Sequence, residues 1–365
     1  MADPTPPNLA TLRDAIDAVD RDLLAALNRR ATLAQQVGEI KRAENSAAFR
    51  PEREAQVIAG LQLHNPGPLT AENVSVLWRE IMSACRALEA PVRVAYLGPS
   101  GTFSELAAMA YFGSAIEGVA CASIDDVFRS VSAGAANFGV VPIENSTEGG
   151  VARSLDLLLT TPLTILGEIS LMVRHNLMRL NVDADGIEAV CAHPQALAQC
   201  HGWLSHHLPH VERRAVASNA EGARLAGADS TLAAIASVHA AGVHGLQVIA
   251  ADIQDDARNR TRFAVLADPA RNPAPGPSGR DCTSIVVSVE NQPGAVHDML
   301  VPLKTHGVSM SRLESRPARS GQWEYFFYID MQGHPSEPAV AAALAELRQT
   351  CAFYKLLGAY PADAR

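Results

Sequence analysis

Between residues 9 and 43, apolar side chains fall at Leu12, Ile16, Val19, Leu23, Leu27, Ala34 and Val37, and glycine or proline intrudes only at Gly38. That spacing predicts one long helix. Asn8 and Thr11 are alternative N-caps, the latter with Asp14 three residues on. Similar periodicity over 51–63 and 71–89 makes the first 90 residues all-α. After Pro91 the texture changes, and short β-type runs at 92–98, 138–143 and 163–169 alternate with helical stretches. Four prolines and two glycines between Asp268 and Gly279 then mark a linker. Beyond it, apolar runs at 283–290, 308–316, 323–331 and 353–360 and helices near 294–306 and 337–350 spell β-α-β-β-α-β.

The expected units are therefore an all-α domain (1–91), an α/β domain (92–269), a linker (270–280) and a small α+β, ferredoxin-like module (281–365). Apolar residues make up 48% and charged residues 19% of the 365 positions, which suits a folded soluble chain and excludes wholesale disorder. The net charge of −9 is concentrated in residues 91–270, with 11 basic against 18 acidic groups. No segment is basic enough to select nucleic acid or an anionic membrane. The first residues lack the charged start and apolar run of a secretory signal, and the apolar stretch 232–251 reads as a buried helix and turn. Six scattered cysteines without a C-x-x-C pair fit a reducing, cytoplasmic setting without disulfides.

On a helical projection, Arg30 and Lys41 fall inside the apolar stripe of the first helix. An unpaired charge there costs several kcal/mol, so both need an anion. An Arg paired with a neighbouring carboxylate and a Lys snorkelling from the helix end would be the simplest answer. Their separation of about 16 Å along the axis would also let them grip the two ends of a small diacid. Arg13 lies about 25 Å from Arg30 along the axis, so it serves that site only from a second subunit of an intertwined dimer. The pattern Leu12-Arg13-x-x-Ile16-Asp17, Leu23-Leu24-x-x-Leu27-x-x-Arg30, Val37-Gly38-x-x-Lys41, Pro51-Glu52-Arg53-Glu54 resembles the all-helical chorismate mutases. The resemblance implies that Arg13 of a partner chain, Arg30, Lys41, Arg53 and Glu54 bind chorismate. Where many relatives have Gln, this chain has Glu89, which donates a hydrogen bond only when protonated. Mutase activity is therefore expected to decline as pH rises. Arg50 and Cys85 stand at a family Asp and Ser.

Four polar segments mark the α/β domain. Tyr96–Ser104 follows a strand and opens a helix, so its N–H groups and hydroxyls, Thr102 and Ser104 among them, could hold a carboxylate. Val141–Gly150 sets polar residues directly after an apolar strand. With His193–Cys200 and Asn259–Phe263, these resemble the prephenate dehydratases over residues 92–268. The resemblance implies two α/β lobes and a cleft, like periplasmic binding proteins, with crossings near Gly167 and Val248. It also implies Thr261 nearest the chemistry, Asn145 and Gln199 as polar partners, and Arg262 as a carboxylate clamp. A family Ser is Ala192 here. The histidines at 201, 206, 207 and 210 lack a clear i, i+4 set and are read as surface residues, so no metal is expected, and no cofactor.

In the C-terminal module, Asn291-Gln292-Pro293-Gly294-Ala295-Val296-His297 and Glu314-Ser315-Arg316-Pro317 resemble the phenylalanine-binding motifs of ACT regulatory domains, with Val296 at the usual Leu. The implied ligand is L-phenylalanine at the interface of two paired modules. The favoured reading is a homodimeric, phenylalanine-inhibited enzyme converting chorismate to prephenate and prephenate to phenylpyruvate. A dehydratase with a weak mutase domain and a non-catalytic amino-acid sensor stay open.

Overall fold

The computed structural model describes residues 8–44, 49–318 and 325–363. The first seven residues of the leader reading, Trp323 and Glu324 of the third C-terminal run, and the last two residues lie outside them. α1 (Leu9–Ala43) is one 35-residue helix, about 52 Å long. Asn8 is its cap, accepting at 2.9 Å from both the N–H and the hydroxyl of Thr11. α2 (Pro51–Leu63) opens on a proline, and α3 (Ala71–Glu89) on Thr70, which accepts from the Asn73 N–H at 3.1 Å. The stripe of α1 is not a buried face: Leu12, Ile16, Val19, Leu23 and Val37 are 46–59% exposed. The reason is length, because α3 spans about 28 Å and cannot cover a helix nearly twice as long.

In the first lobe the chain runs β1 (Arg93–Leu97), α4 (Phe103–Phe112), β2 (Glu117–Cys121), α5 (Ile124–Ser132), β3 (Phe138–Asn145), β4 (Gly149–Gly150), α6 (Ala152–Thr160) and β5 (Thr164–Met172). The second lobe holds β6 (Asn176–Arg179), β7 (Ala189–Ala192), α7 (Pro194–Gln199), α8 (His201–His207), β8 (Glu212–Ala215), α9 (Asn219–Ala228), β9 (Leu232–Ala236), α10 (Val238–His244) and β10 (Gln247–Ala250). β11 (Arg260–Ala267) returns to the first lobe and completes the order β2-β1-β3-β11-β5; the second sheet runs β10-β6-β9-β7-β8. The crossings therefore lie at 173–175 and 251–259, not near Gly167 and Val248. Gly167 sits inside β5, where a Cβ would collide with the Tyr111 ring, so that glycine serves close packing and not a hinge. The stretch 232–251 is strand, helix and strand, not the expected helix and turn.

The C-terminal module comprises β12 (Asp281–Ser288), α11 (Ala295–Thr305), β13 (Met310–Pro317), β14 (Tyr325–Gln332), α12 (Pro338–Thr350) and β15 (Phe353–Pro361), its sheet ordered β13-β14-β12-β15. It is no tethered appendage. Leu155, Leu158 and Ile165 of the first lobe share one apolar core with Val286, Tyr328 and Leu357 of the module. Lys355 donates to the carbonyls of Leu158 and Leu159 at 2.7 and 3.1 Å, capping the C-terminal end of α6. The linker is pinned as well, since Asn272 is buried and His334 Nε2 lies 3.1 Å from the Pro275 carbonyl oxygen. On the other side, Phe49 is buried against Phe112 and Phe138, with ring centroids 5.0 and 5.5 Å away, which seats the helical domain on the first lobe. No helix among the described residues is long and apolar enough to cross a membrane.

Candidate active sites

α1 and α3 meet at Gly38, where a Cβ would lie 2.9 Å from Cβ and Cγ of Glu89. That close approach puts Glu89 one turn from Lys41, with Lys41 Nζ 3.6 Å from Glu89 Oε2. Around them is a cavity of about 380 Å³ whose lining includes Arg30, Lys41, Arg50, Arg53, Glu54, Arg86 and Glu89. Five cations face two carboxylates. Arg86 is buried, and that burial lowers its pKa to about 10. It forms an ion pair with Glu54 and donates to the Phe112 carbonyl. Arg30, Arg50 and Arg53 have no carboxylate partner among the described residues. The cavity therefore carries net positive charge suited to a dianion. Arg13 is exposed and does not line it.

The second candidate is a cavity of about 740 Å³ between the two lobes. Thr102, Ser104, Asn145, His175, Gln199 and Thr261 all line it. Asn145 ends β3 and pairs with Thr261 on β11. Its Oδ1 accepts from the N–H groups of Thr147 and Glu148 at 3.0 and 3.2 Å. Those backbone donors fix the amide, so Nδ2 donates to Thr261 Oγ1 at 3.0 Å and to Asn259 Oδ1 at 2.9 Å. Asn259 Nδ2 then donates to Gln199 Oε1 at 3.1 Å, and His175 Nε2, 2.9 Å from that oxygen, must donate too. Burial keeps His175 neutral by lowering its pKa, while the Gln199 bond opposes this. Thr261 already accepts from Asn145, so its own proton is left to donate.

No arginine or lysine lines this cleft among the described residues. The N-terminal turns of α4 and α9 do, through Thr102, Phe103, Ser104, Ser218, Asn219 and Ala220, and present N–H groups and positive dipole ends to an anion. The lobes also touch directly. Glu105 on α4 accepts from the Gly101 N–H at 2.6 Å and the Tyr96 hydroxyl at 2.7 Å, and lies 2.8 Å from His239 on α10. Burial opposes its ionisation, but these bonds prevail and hold the carboxyl below its ordinary range.

Residues 12–90 match the type II chorismate mutase family, 94–271 prephenate dehydratase, and 283–349 the ACT domain. Over 352 residues the chain is 47% identical to the bifunctional chorismate mutase/prephenate dehydratase of Neisseria gonorrhoeae, covering 96% of each. It is 45% identical over 359 residues to that of Pseudomonas aeruginosa, covering 97% of each. The chain belongs to the bifunctional chorismate mutase/prephenate dehydratase family. A solved prephenate dehydratase from Arthrobacter aurescens, in complex with L-Phe, is similar with a TM-score of 0.68 at 36% identity, over 74% of this chain and 90% of that one.

Within this family's three-part architecture, some residues sit elsewhere than the sequence suggested. Arg262 is no clamp in the dehydratase cleft. Neighbouring strand residues face opposite ways, and Arg262 turns from the cleft to Glu144, Glu168 and Asp330. Burial works against its charge, but Asp330 and Glu168 overcome this and hold the guanidinium more firmly protonated than usual. In the ACT domain, Arg316 bonds Asp156 at 3.1 Å, and the Glu314 carboxylate rests against Gly150, so both side chains lie on the dehydratase domain. Ser315 between them is exposed. Gly294 has φ +85° and is the N-cap of α11; Asn291, Val296 and His297 are exposed beside it and Ala295 is buried. Sequence reasoning passed over Arg86, His175 and Glu105. Only Glu105 left a signal, the Thr102-x-x-Glu105 spacing of a capping box.

Proposed function

We propose that the chain catalyses two consecutive reactions, chorismate to prephenate in the helical domain and prephenate to phenylpyruvate between the lobes, under inhibition by L-phenylalanine. The observation that carries this is the contrast between the two cavities. The first concentrates cations, which suits a unimolecular rearrangement that needs no nucleophile: the enzyme need only hold two carboxylates and stabilise charge separating in the transition state. Arg30, Lys41 and Arg53 grip the dianion, with Glu54 orienting Arg86 and Glu89 placed beside Lys41 toward the breaking ether oxygen.

In the second reaction the ring carboxylate leaves as CO₂, its bonding electrons enter the ring, and the ring hydroxyl departs with a proton as water. Thr261 directs its hydrogen bond to the departing hydroxyl, with Asn145 and Gln199 setting that direction. The N–H groups at Thr102–Ser104 and Ser218–Ala220 hold carboxylate, so the cleft binds a dianion without a cation. A neutral surrounding also favours loss of the ring carboxylate.

Asn291–His297 and Glu314–Arg316 form the phenylalanine-responsive region. The half-exposed stripe of α1 supports an intertwined homodimer in which Arg13 of one chain completes the partner's cavity and the ACT domains pair. Covering each of those apolar side chains would contribute about 1 kcal/mol. The enzyme works in the reducing cytoplasm, where its six cysteines stay thiols. Assaying chorismate loss and phenylpyruvate formation separately, with and without phenylalanine, tests the proposal. It requires both activities, with the second inhibited; absence of either activity refutes it.

A further inference from the structure

The strand pair that carries Asn145 and Thr261 has a second face. The register sets Thr261 opposite Asn145 and Arg262 opposite Glu144. The first pair lines the cleft. One residue along, Arg262 meets Glu144 at 3.3 Å, Glu168 at 3.0 Å and Asp330 of the ACT domain. Arg312, also of the ACT domain, meets Oε2 of the same Glu144 at 2.8 Å. Asp330 is itself fixed by the Ser284 hydroxyl at 2.6 Å. The side chains of Arg312 and Asp330 are only 8% and 6% exposed while Glu144 is 33% exposed, so water screens the Arg262–Asp330 bond least.

We infer that Arg262 and Glu144 are positioning residues for dehydration, held in place by Arg312 and Asp330, which makes the ACT domain a structural part of the dehydratase site. This rests on the assignment of Thr261 and Asn145 to the chemistry. Asp363 adds to this grip at β5, the strand beside β11, accepting from the Ser170 N–H at 2.7 Å, whereas three further cross-domain contacts differ in kind. Lys355, Arg316 and Tyr328 all bond to α6 or the residue after it, away from the two strands. They attach the domain without gripping the catalytic pair. Loss of Arg312 leaves Glu144 with Arg262 alone, and loss of the Asp330 charge leaves Arg262 with two carboxylates instead of three; the charge balance of the cluster changes and the two strands must shift to restore it. Misplacement by about 1 Å can cost about a hundredfold in rate.

The test uses the full-length enzyme with Arg312→Met, Arg312→Lys, Asp330→Asn and Lys355→Met. Arg312→Met and Asp330→Asn should lower kcat for prephenate roughly ten- to a hundredfold with little change in KM. Arg312→Lys should recover part of that loss. Chorismate turnover should be unchanged in all four, a wild-type melting transition shows that the dehydratase and ACT domains are folded, and Lys355→Met should keep its dehydratase kcat. Should one of the first two variants fail to fold, the other decides. Wild-type kcat in either folded variant overturns the inference, as does an equal loss in Lys355→Met, which would mean that any loosening of the interface suffices. Thr261→Ala is measured separately: an active Thr261→Ala enzyme overturns the site assignment, whatever the interface variants do.

Discussion

Asn145→Asp probes the polar chain of the cleft with almost no change in shape. One oxygen of the introduced carboxylate still accepts from the N–H groups of Thr147 and Glu148, as the amide oxygen does at 3.0 and 3.2 Å. The other replaces a donor with an acceptor, 2.9 Å from Asn259 Oδ1 and 3.0 Å from Thr261 Oγ1. Asn259 and Gln199 can answer by turning their amides over, which passes the mismatch to His175. Reversing or losing one buried bond costs about 1–3 kcal/mol of stability. Thr261 has no such escape, because its hydroxyl hydrogen turns to the carboxylate and leaves the substrate. Removal of one preorganised donor from a developing charge typically costs about 10²–10³ in kcat. The added charge also repels a dianion, so KM should rise; saturating prephenate separates the two effects. Phenylpyruvate formation at saturation should fall at least about a hundredfold. A wild-type kcat with only KM raised would refute the direction assigned to the Thr261 proton.

Three further expectations follow from named contacts. Alanine in place of a helical glycine usually stabilises by about 0.5–1 kcal/mol, but at Gly38 the 2.9 Å approach to Glu89 makes overpacking, at about 1–3 kcal/mol, the larger effect. Gly38→Ala should cut chorismate turnover roughly tenfold or more while prephenate turnover stays; a normal mutase rate would show that Glu89 tolerates displacement. The Glu105 carboxyl is held below its ordinary value of 4.5, so it contributes stability above that pH which is lost as pH falls through the lower folded value. Melting curves of wild type and Glu105→Gln should thus differ at neutral pH and converge in acid, and a constant gap would contradict the bonding of Glu105. Gly294→Val forces a branched side chain to φ +85°, at about 1–3 kcal/mol. This variant and Glu314→Ala should lose inhibition by phenylalanine and keep dehydratase activity; full inhibition in both would place the regulatory site elsewhere.

The fold was legible wherever local pattern and tertiary role agree. The run Leu12 to Val37 is periodic enough to define a 35-residue helix, and the β-α-β-β-α-β order of the last module follows from its alternating apolar runs. Local pattern misled where a residue serves a distant partner. The resemblance placed a crossing near Gly167, yet its missing side chain makes room for Tyr111, more than fifty positions earlier. The prolines near residue 273 resembled a free linker, yet tertiary contacts pin that segment. Arg262 was the avoidable error. Strand alternation already forbids Thr261 and Arg262 from facing one cleft, and the apolar FAVLA run beyond them identified the strand. The Arg86–Glu54 pair was out of reach, since nothing local in α2 or α3 records that their faces meet. The sequence marked one helix N-terminus, at Thr102–Ser104, but not that the N-terminus of α9 lines the same cavity, because that needs the relative placement of two lobes.

The central claim is that one chain runs two reactions at two independent sites, and mixing two single-site variants tests it most directly. Arg30→Ala, supplied with chorismate, should produce neither prephenate nor phenylpyruvate, yet it should turn over added prephenate normally. Thr261→Ala should convert chorismate to prephenate and stop. Combined in one vessel with chorismate, the two should restore phenylpyruvate formation through prephenate released by one and consumed by the other. Loss of both activities in either single variant, or no phenylpyruvate from the mixture while prephenate accumulates, would contradict two separate sites.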